Sequence, residues 1–167
     1  RPHARADETM TSRTLRSTRG LTPHEFDVAR RAMRAHRVAS EELCERALAA
    51  CRFVPWNPSW GRVRGPRSLI ATSALRGFAR GITLGTRVFI EEEAFGPNQE
   101  LDLNLAVHEA THVVQYVRDG TFGFLTRYLW EYRENLSQGM TQNQAHRAIS
   151  YEVEAYTVGD SALSFAT

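Results

Sequence analysis

"LAVHEATHVVQY", Leu105 to Tyr116, sets two histidines one helical turn apart, with a glutamate directly after the first. Projected at about 100° per residue, the helix that carries it divides into two faces. Leu103, Val107, Ala110, Val114 and Val117 gather on one side; Leu105, His108, Glu109, His112, Gln115 and Tyr116 gather on the other. The chemistry therefore has a face of its own, while an independent apolar stripe anchors the helix in a core. Histidines at i and i+4 hold two imidazoles over one patch, which is how a single helix supplies two ligands to a zinc ion. Glu109 lies about 100° round from His108, so it points beside such an ion, where a general base acting on a water nucleophile is needed. His108 and His112 are read as metal ligands and Glu109 as the catalytic base.

A catalytic zinc site requires a third protein ligand. The extension that would place a glycine and a histidine three and six residues beyond the second ligand is absent, because those positions hold Gln115 and Arg118. A glutamate from a later helix is the alternative, and "AISYEVEAY", Ala148 to Tyr156, contains two. Read as one helix from Thr141 to about Val158, this region puts Glu152 on a small, apolar face with Ala145, Ala148, Ile149, Ala155 and Tyr156. An inward carboxylate is costly unless a cation or metal pairs with it, which makes Glu152 the third ligand. Glu154 shares a face with Arg147, Ser150 and Tyr151 and reads as an ordinary surface residue. Tyr156, one turn after Glu152, is a candidate to hydrogen-bond a ligand imidazole. A donor to the tetrahedral oxyanion is expected as well, with Tyr128, Tyr132, Tyr151 and His146 as candidates. His146, on a mostly polar face, reads first as an exposed histidine and only second as a rival ligand or donor.

Outward from the motif, the chain reads as one main domain of α+β class, mainly helical, with a small sheet. Residues 1–20 are rich in Arg, Ser and Thr and almost devoid of apolar content, which suggests a flexible arm. "LTPHEFDVARRAMRAHR" opens with Thr22 as N-cap, Pro23 at the first helical position and Glu25 completing a capping box. "ASEELCERALAAC" restarts a helix from Ser40, so that 21–60 forms a helical hairpin and linker. "FVPWNPSWGRVRGPRS" is broken by prolines and glycines, whereas "SLIATSAL" and "GITLGTRVFIEE" are short and β-branched and read as strands, the latter turning at Gly85. The motif helix ends at Asp119 and Gly120, and a further helix runs from near Thr121 to "SQG". "GTRVFIEE" is expected to present an edge strand to which an extended peptide adds.

Composition narrows the partners. Among 167 residues, 21 basic and 19 acidic side chains leave a net charge of +2, and the basic residues are all arginine. That balance demands no anionic surface, and the arm's arginines lack interleaved aromatics, so no nucleic acid is expected. No apolar run approaches the roughly 20 residues of a membrane span, and the chain is expected to be soluble. It begins with Arg1, which leaves export open should an upstream segment have been removed. Cys44 and Cys51 would stand roughly 10 Å apart along a regular helix, too far for a disulfide, so two buried free thiols are expected unless the helix ends before Cys51.

"ITLGTRVFI", "LAVHEATHVVQY", "RYLWEY" and "EVEAY", in this order, resemble a bacterial family of small zinc metallopeptidases with a gluzincin-type core. The resemblance covers about half the chain, from Ile82 to the helix around Tyr156, and leaves the N-terminal hairpin outside it. It implies a zincin-like core over 61–167, with Zn2+ as cofactor and Glu152 as third ligand, in agreement with the projection. Tyr156 stands where many relatives carry an aspartate that supports a ligand histidine. The function expected is that of a zinc-dependent metalloendopeptidase acting on a peptide or protein substrate. The alternative is a non-catalytic, metal-stabilised pseudo-protease or binding module.

Overall fold

Thr22 caps the first helix as its sequence predicts: its hydroxyl accepts from the Glu25 amide, and the Glu25 carboxylate accepts in return from the Thr22 amide. The computed structural model describes residues 17–56 and 81–166. From this cap the chain forms α1 (Pro23–Ala35), α2 (Glu41–Ala50), β1 (Arg52–Trp56), β2 (Gly81–Leu84) and β3 (Arg87–Glu91). A 3-10 turn, Glu92–Ala94, leads to α3 (Leu103–Ser137), α4 (Gln142–Arg147) and α5 (Ser150–Ser161), closed by a second 3-10 turn at Ala162–Phe165. The fold is α+β and mainly helical. Ser40 caps α2 by accepting from the Leu43 amide. That helix ends at Ala50, and Cys44 and Cys51 are both buried free thiols, the latter pushed up to about 12 chiefly by burial.

The sheet has the order β1-β3-β2, with β1 parallel and β2 antiparallel to β3. β2 and β3 form the hairpin expected around Gly85, whose φ of 63° supplies the left-handed turn conformation. β1 is a strand where the sequence reads as an irregular segment. Pro55 lies within it, which β1 tolerates because, among the described residues, its side away from β3 carries only the single Arg19–Phe53 bridge and no ladder that needs an N–H from Pro55. The strand expected from "SLIATSAL" lies outside the described residues, as does most of the arm expected over 1–20. The arm's last residues, 17–20, do belong to the fold. Arg19 bridges to Phe53 through the backbone and sends two 2.7 Å hydrogen bonds into the buried Glu25 carboxylate.

α3 is the central element. Every residue from Ala106 to Tyr116 is buried, because α1, α2 and the sheet cover its apolar stripe while β2 and α5 cover the opposite face. Val28, Met33, Leu48, Phe53, Val88, Ile90, Val107 and Val114 belong to this main core. At Gly120, φ 71° and ψ 158° break the helix, so the two helices expected on either side of "DG" are joined by a sharp kink. The kink turns the second half back, and Phe124 stacks between Tyr116 and Tyr151 at centroid distances of 3.9 and 4.4 Å. These residues and Ile149 make a second cluster beside the motif.

The helix expected from Thr141 to Val158 is two helices. Ile149 is extended (ψ 132°) and fully buried, ending α4 and setting the entry to α5. No local side chain caps α5. Glu131 of α3 does so across space, accepting from the Ser150 amide at 2.6 Å and from its hydroxyl at 2.9 Å. Farther along, α5 meets α3 at Gly159, where a Cβ would stand 3.1 Å from the Asn104 carbonyl oxygen and 3.2 Å from His108 Cβ. Among the described residues, no helix is long and apolar enough to cross a membrane.

Candidate metal centre

His108 and His112 project from α3 beneath the first turn of α5, which delivers Glu152. The three are buried, and their donor atoms lie within 4.8 Å of one another, a group able to hold a metal ion. His108 Nε2 stands 3.5 Å from Glu152 Oε2, and His112 Nε2 stands 3.4 Å from Glu152 Oε1. Ligands held about 2.0–2.1 Å from a shared ion at tetrahedral angles stand about 3.3–3.4 Å apart, so both spacings suit a common ion. Glu152 Oε2 is buried with no hydrogen-bond partner among the described residues. A buried carboxylate oxygen left in this way is costly unless something fills the gap, and a cation among these three side chains would do so.

The other Glu152 oxygen is well served. Tyr128 OH donates to Oε1 at 2.8 Å, and His146 Nε2 lies 3.3 Å from the same atom. Burial alone would raise the Glu152 pKa, but His112, with His108 and His146 adding, holds it well below the usual carboxylate range. Burial likewise pulls His112 down, yet the Glu152 carboxylate reverses this and pushes it up to about 9. His146 is lowered, chiefly by burial and against the pull of Glu152. Burial, then the Glu152 charge, raises Tyr128.

Glu109 is held from the sheet side. Thr83 of β2 donates its hydroxyl to Glu109 Oε2 at 2.7 Å. A Cβ on Gly81 would fall 2.6 Å from Glu109 Oε1, so the β2 backbone lies directly against this carboxylate. The strand beside the site is therefore β2. "GTRVFIEE" contributes β3 instead, which lies between β1 and β2 and has no free edge.

The remaining candidates divide. Tyr128 and His146 reach the cluster. His146 is buried rather than exposed, because the break at Ile149 uncouples its helix from the phase of α5 and swings it toward Glu152. Tyr151 turns away: its hydroxyl donates to Asp119 at 2.8 Å, which removes it as an oxyanion donor. Tyr132 packs with the aromatic cluster. Tyr156 meets His108 ring to ring, centroids 4.5 Å apart, and the Arg147 guanidinium lies 4.9 Å from the Tyr156 ring centroid. Its role among the described residues is to wall the imidazole, in place of the hydrogen bond expected. Glu154 is no ordinary surface residue, since it accepts from Gln115 Nε2 at 2.8 Å and from Arg118 Nη1 at 3.1 Å. Gln115 in turn touches His112 Nδ1 at 2.8 Å. The sequence carried one signal for this, a glutamine on the histidine face one turn beyond the second ligand.

A family described as the eCIS core domain matches residues 62–120, a stretch that takes in β2, β3 and the motif half of α3. Over that third of the chain the protein is similar to this family. The match does not name the gluzincin class, and its span stops before Glu152. No curated protein and no solved structure matches.

Proposed function

We propose that the protein is a zinc-dependent metalloendopeptidase of gluzincin type, with His108, His112 and Glu152 as zinc ligands. The observation that carries this reading is the pairing of a buried His-His-Glu group with a separate carboxylate, Glu109, steadied by Thr83. Zinc bound there would polarise the scissile carbonyl and acidify the attacking water. Glu109 accepts the water's proton and returns it to the leaving amine. The Thr83 hydroxyl holds this carboxylate in place through Oε2 while it carries the proton. His146, whose Nε2 lies 3.3 Å from Glu152 Oε1, is the donor nearest the developing oxyanion, because the Tyr128 hydroxyl hydrogen is already committed to that carboxylate oxygen. β2, an outer strand among the described residues, pairs with an extended peptide substrate through backbone hydrogen bonds.

A second reading is a metal-stabilised module without catalysis, in which the same buried His-His-Glu group holds an ion that fixes the fold. Glu109→Gln separates the two. The peptidase reading expects zinc to stay bound while cleavage of a mixed peptide pool falls at least about 100-fold. Unchanged cleavage overturns Glu109 as the base and with it the peptidase reading as proposed, whereas a zinc-loaded wild type that cleaves nothing in the pool favours the module.

A further inference from the structure

We infer that Gln115 is a positioning residue that decides which nitrogen of His112 faces the metal, with Glu154 and Arg118 acting through it. This rests on the metal-site reading above and adds to it the device that prepares one ligand. Gln115 is fully buried, and its side-chain nitrogen has two hydrogens to place. Both are placed on oxygens: the Tyr151 carbonyl at 3.0 Å and Glu154 Oε2 at 2.8 Å. A flipped amide would set its oxygen against those two oxygens, so the orientation is dictated by its neighbours. Oε1 then has to face His112 Nδ1, 2.8 Å away, as an acceptor. The Nδ1 must carry a hydrogen, which leaves the Nε2 lone pair for a metal. Nε2 is the atom that stands 3.4 Å from Glu152 Oε1, so the nitrogen made available is the one on the metal side.

The anchor extends one step further. Arg118 Nη1 lies 3.1 Å from each Glu154 oxygen and also donates to the Val38 carbonyl at 2.8 Å. Val38 lies in the link between α1 and α2, so the N-terminal hairpin is tied to the orientation of a metal ligand. Helical spacing makes the arrangement local: Gln115 is three residues from His112 and Arg118 three from Gln115, all down one side of α3.

The test uses the full chain loaded with Zn2+, 15N NMR of the histidine rings, and Zn2+ affinity by chelator competition. In the wild type, His112 should be ligated through Nε2, with an Nδ1 hydrogen protected from exchange. Gln115→Met should lower Zn2+ affinity about 10- to 100-fold and lose that protection. Glu154→Gln, whose amide oxygen still accepts from Gln115, should lose less than about fivefold. Ligation of His112 through Nδ1, or Zn2+ affinity within twofold of wild type in Gln115→Met, overturns the inference while leaving the metal site standing. Should Gln115→Met fail to fold, the wild-type ring assignment and the Glu154→Gln affinity decide it. A wild type that takes no Zn2+ removes both the site and this role. A purely structural Gln115 would shift the melting temperature without changing exchange at the His112 Nδ1 hydrogen.

Discussion

Glu152 concentrates the protein's chemistry in one side chain. It is 4 % exposed, yet three imidazoles and a phenol converge on it, and one of its oxygens is left without a hydrogen bond among the described residues. Without metal, the proton on His112 is the counter-charge, which is why that pKa is raised to about 9 against the downward pull of burial. The sign follows directly. A folded-state pKa raised above the ordinary 6.5 stabilises the metal-free protein below about pH 6.5, and this contribution is lost as pH rises through about 9. Zn2+ binding as proposed would have the opposite dependence, because the ion would have to displace that proton. Apparent Zn2+ affinity is expected to rise about tenfold per pH unit between pH 7 and 9 and then level off. Titrations at pH 7, 8 and 9 check this, and a flat profile would show that His112 gives up no proton. The grouping of His108, His112 and Glu152 was legible from helical spacing and from the cost of burying Glu152. The supporting residues were not, because hydrogen bonds such as Gln115 to Glu154 join positions 39 apart in the chain.

Two helix breaks and one close-packed glycine place the elements around the site. Gly120 kinks α3 so that its second half brings Tyr128 and Glu131 over α5, and this break was readable from "DG". The break at Ile149 was not, since nothing local caps α5 and its cap, Glu131, comes from another helix. A projection through an unbroken helix still sets Glu152 inward, but it misplaces His146 and Glu154. β1 was hidden by Pro55, whose effect on a strand depends on whether that strand lies at an edge. Gly159, two turns beyond Glu152, sets how closely α5 approaches His108. Gly159→Val is expected to force α5 outward, at an overpacking cost of about 1–3 kcal/mol. The same change should weaken Zn2+ binding at least tenfold. Chemical denaturation and chelator competition read the two effects separately. Lost stability with unchanged affinity would show that the site does not depend on this contact.

At the scale of the molecule, the helical hairpin, the small sheet and α5 surround one buried helix, and its histidine face is covered by β2 and α5 with the aromatic cluster beside it. The mainly helical α+β class was evident from the alternation of capped helices with short β-branched runs. The layering depends on contacts between distant segments, such as Arg19 with Phe53 and Arg118 with Val38, which periodicity does not report. The arrangement gives the three donors a preformed setting, so a metal ion held there would need little reorganisation. Calorimetric titration of the metal-free full chain with Zn2+, wild type beside His112→Ala, tests this claim most directly. The structure predicts one Zn2+ per wild-type chain and loss of that binding in His112→Ala. A wild type that takes up no Zn2+, or a His112→Ala variant that binds it equally well, would contradict it.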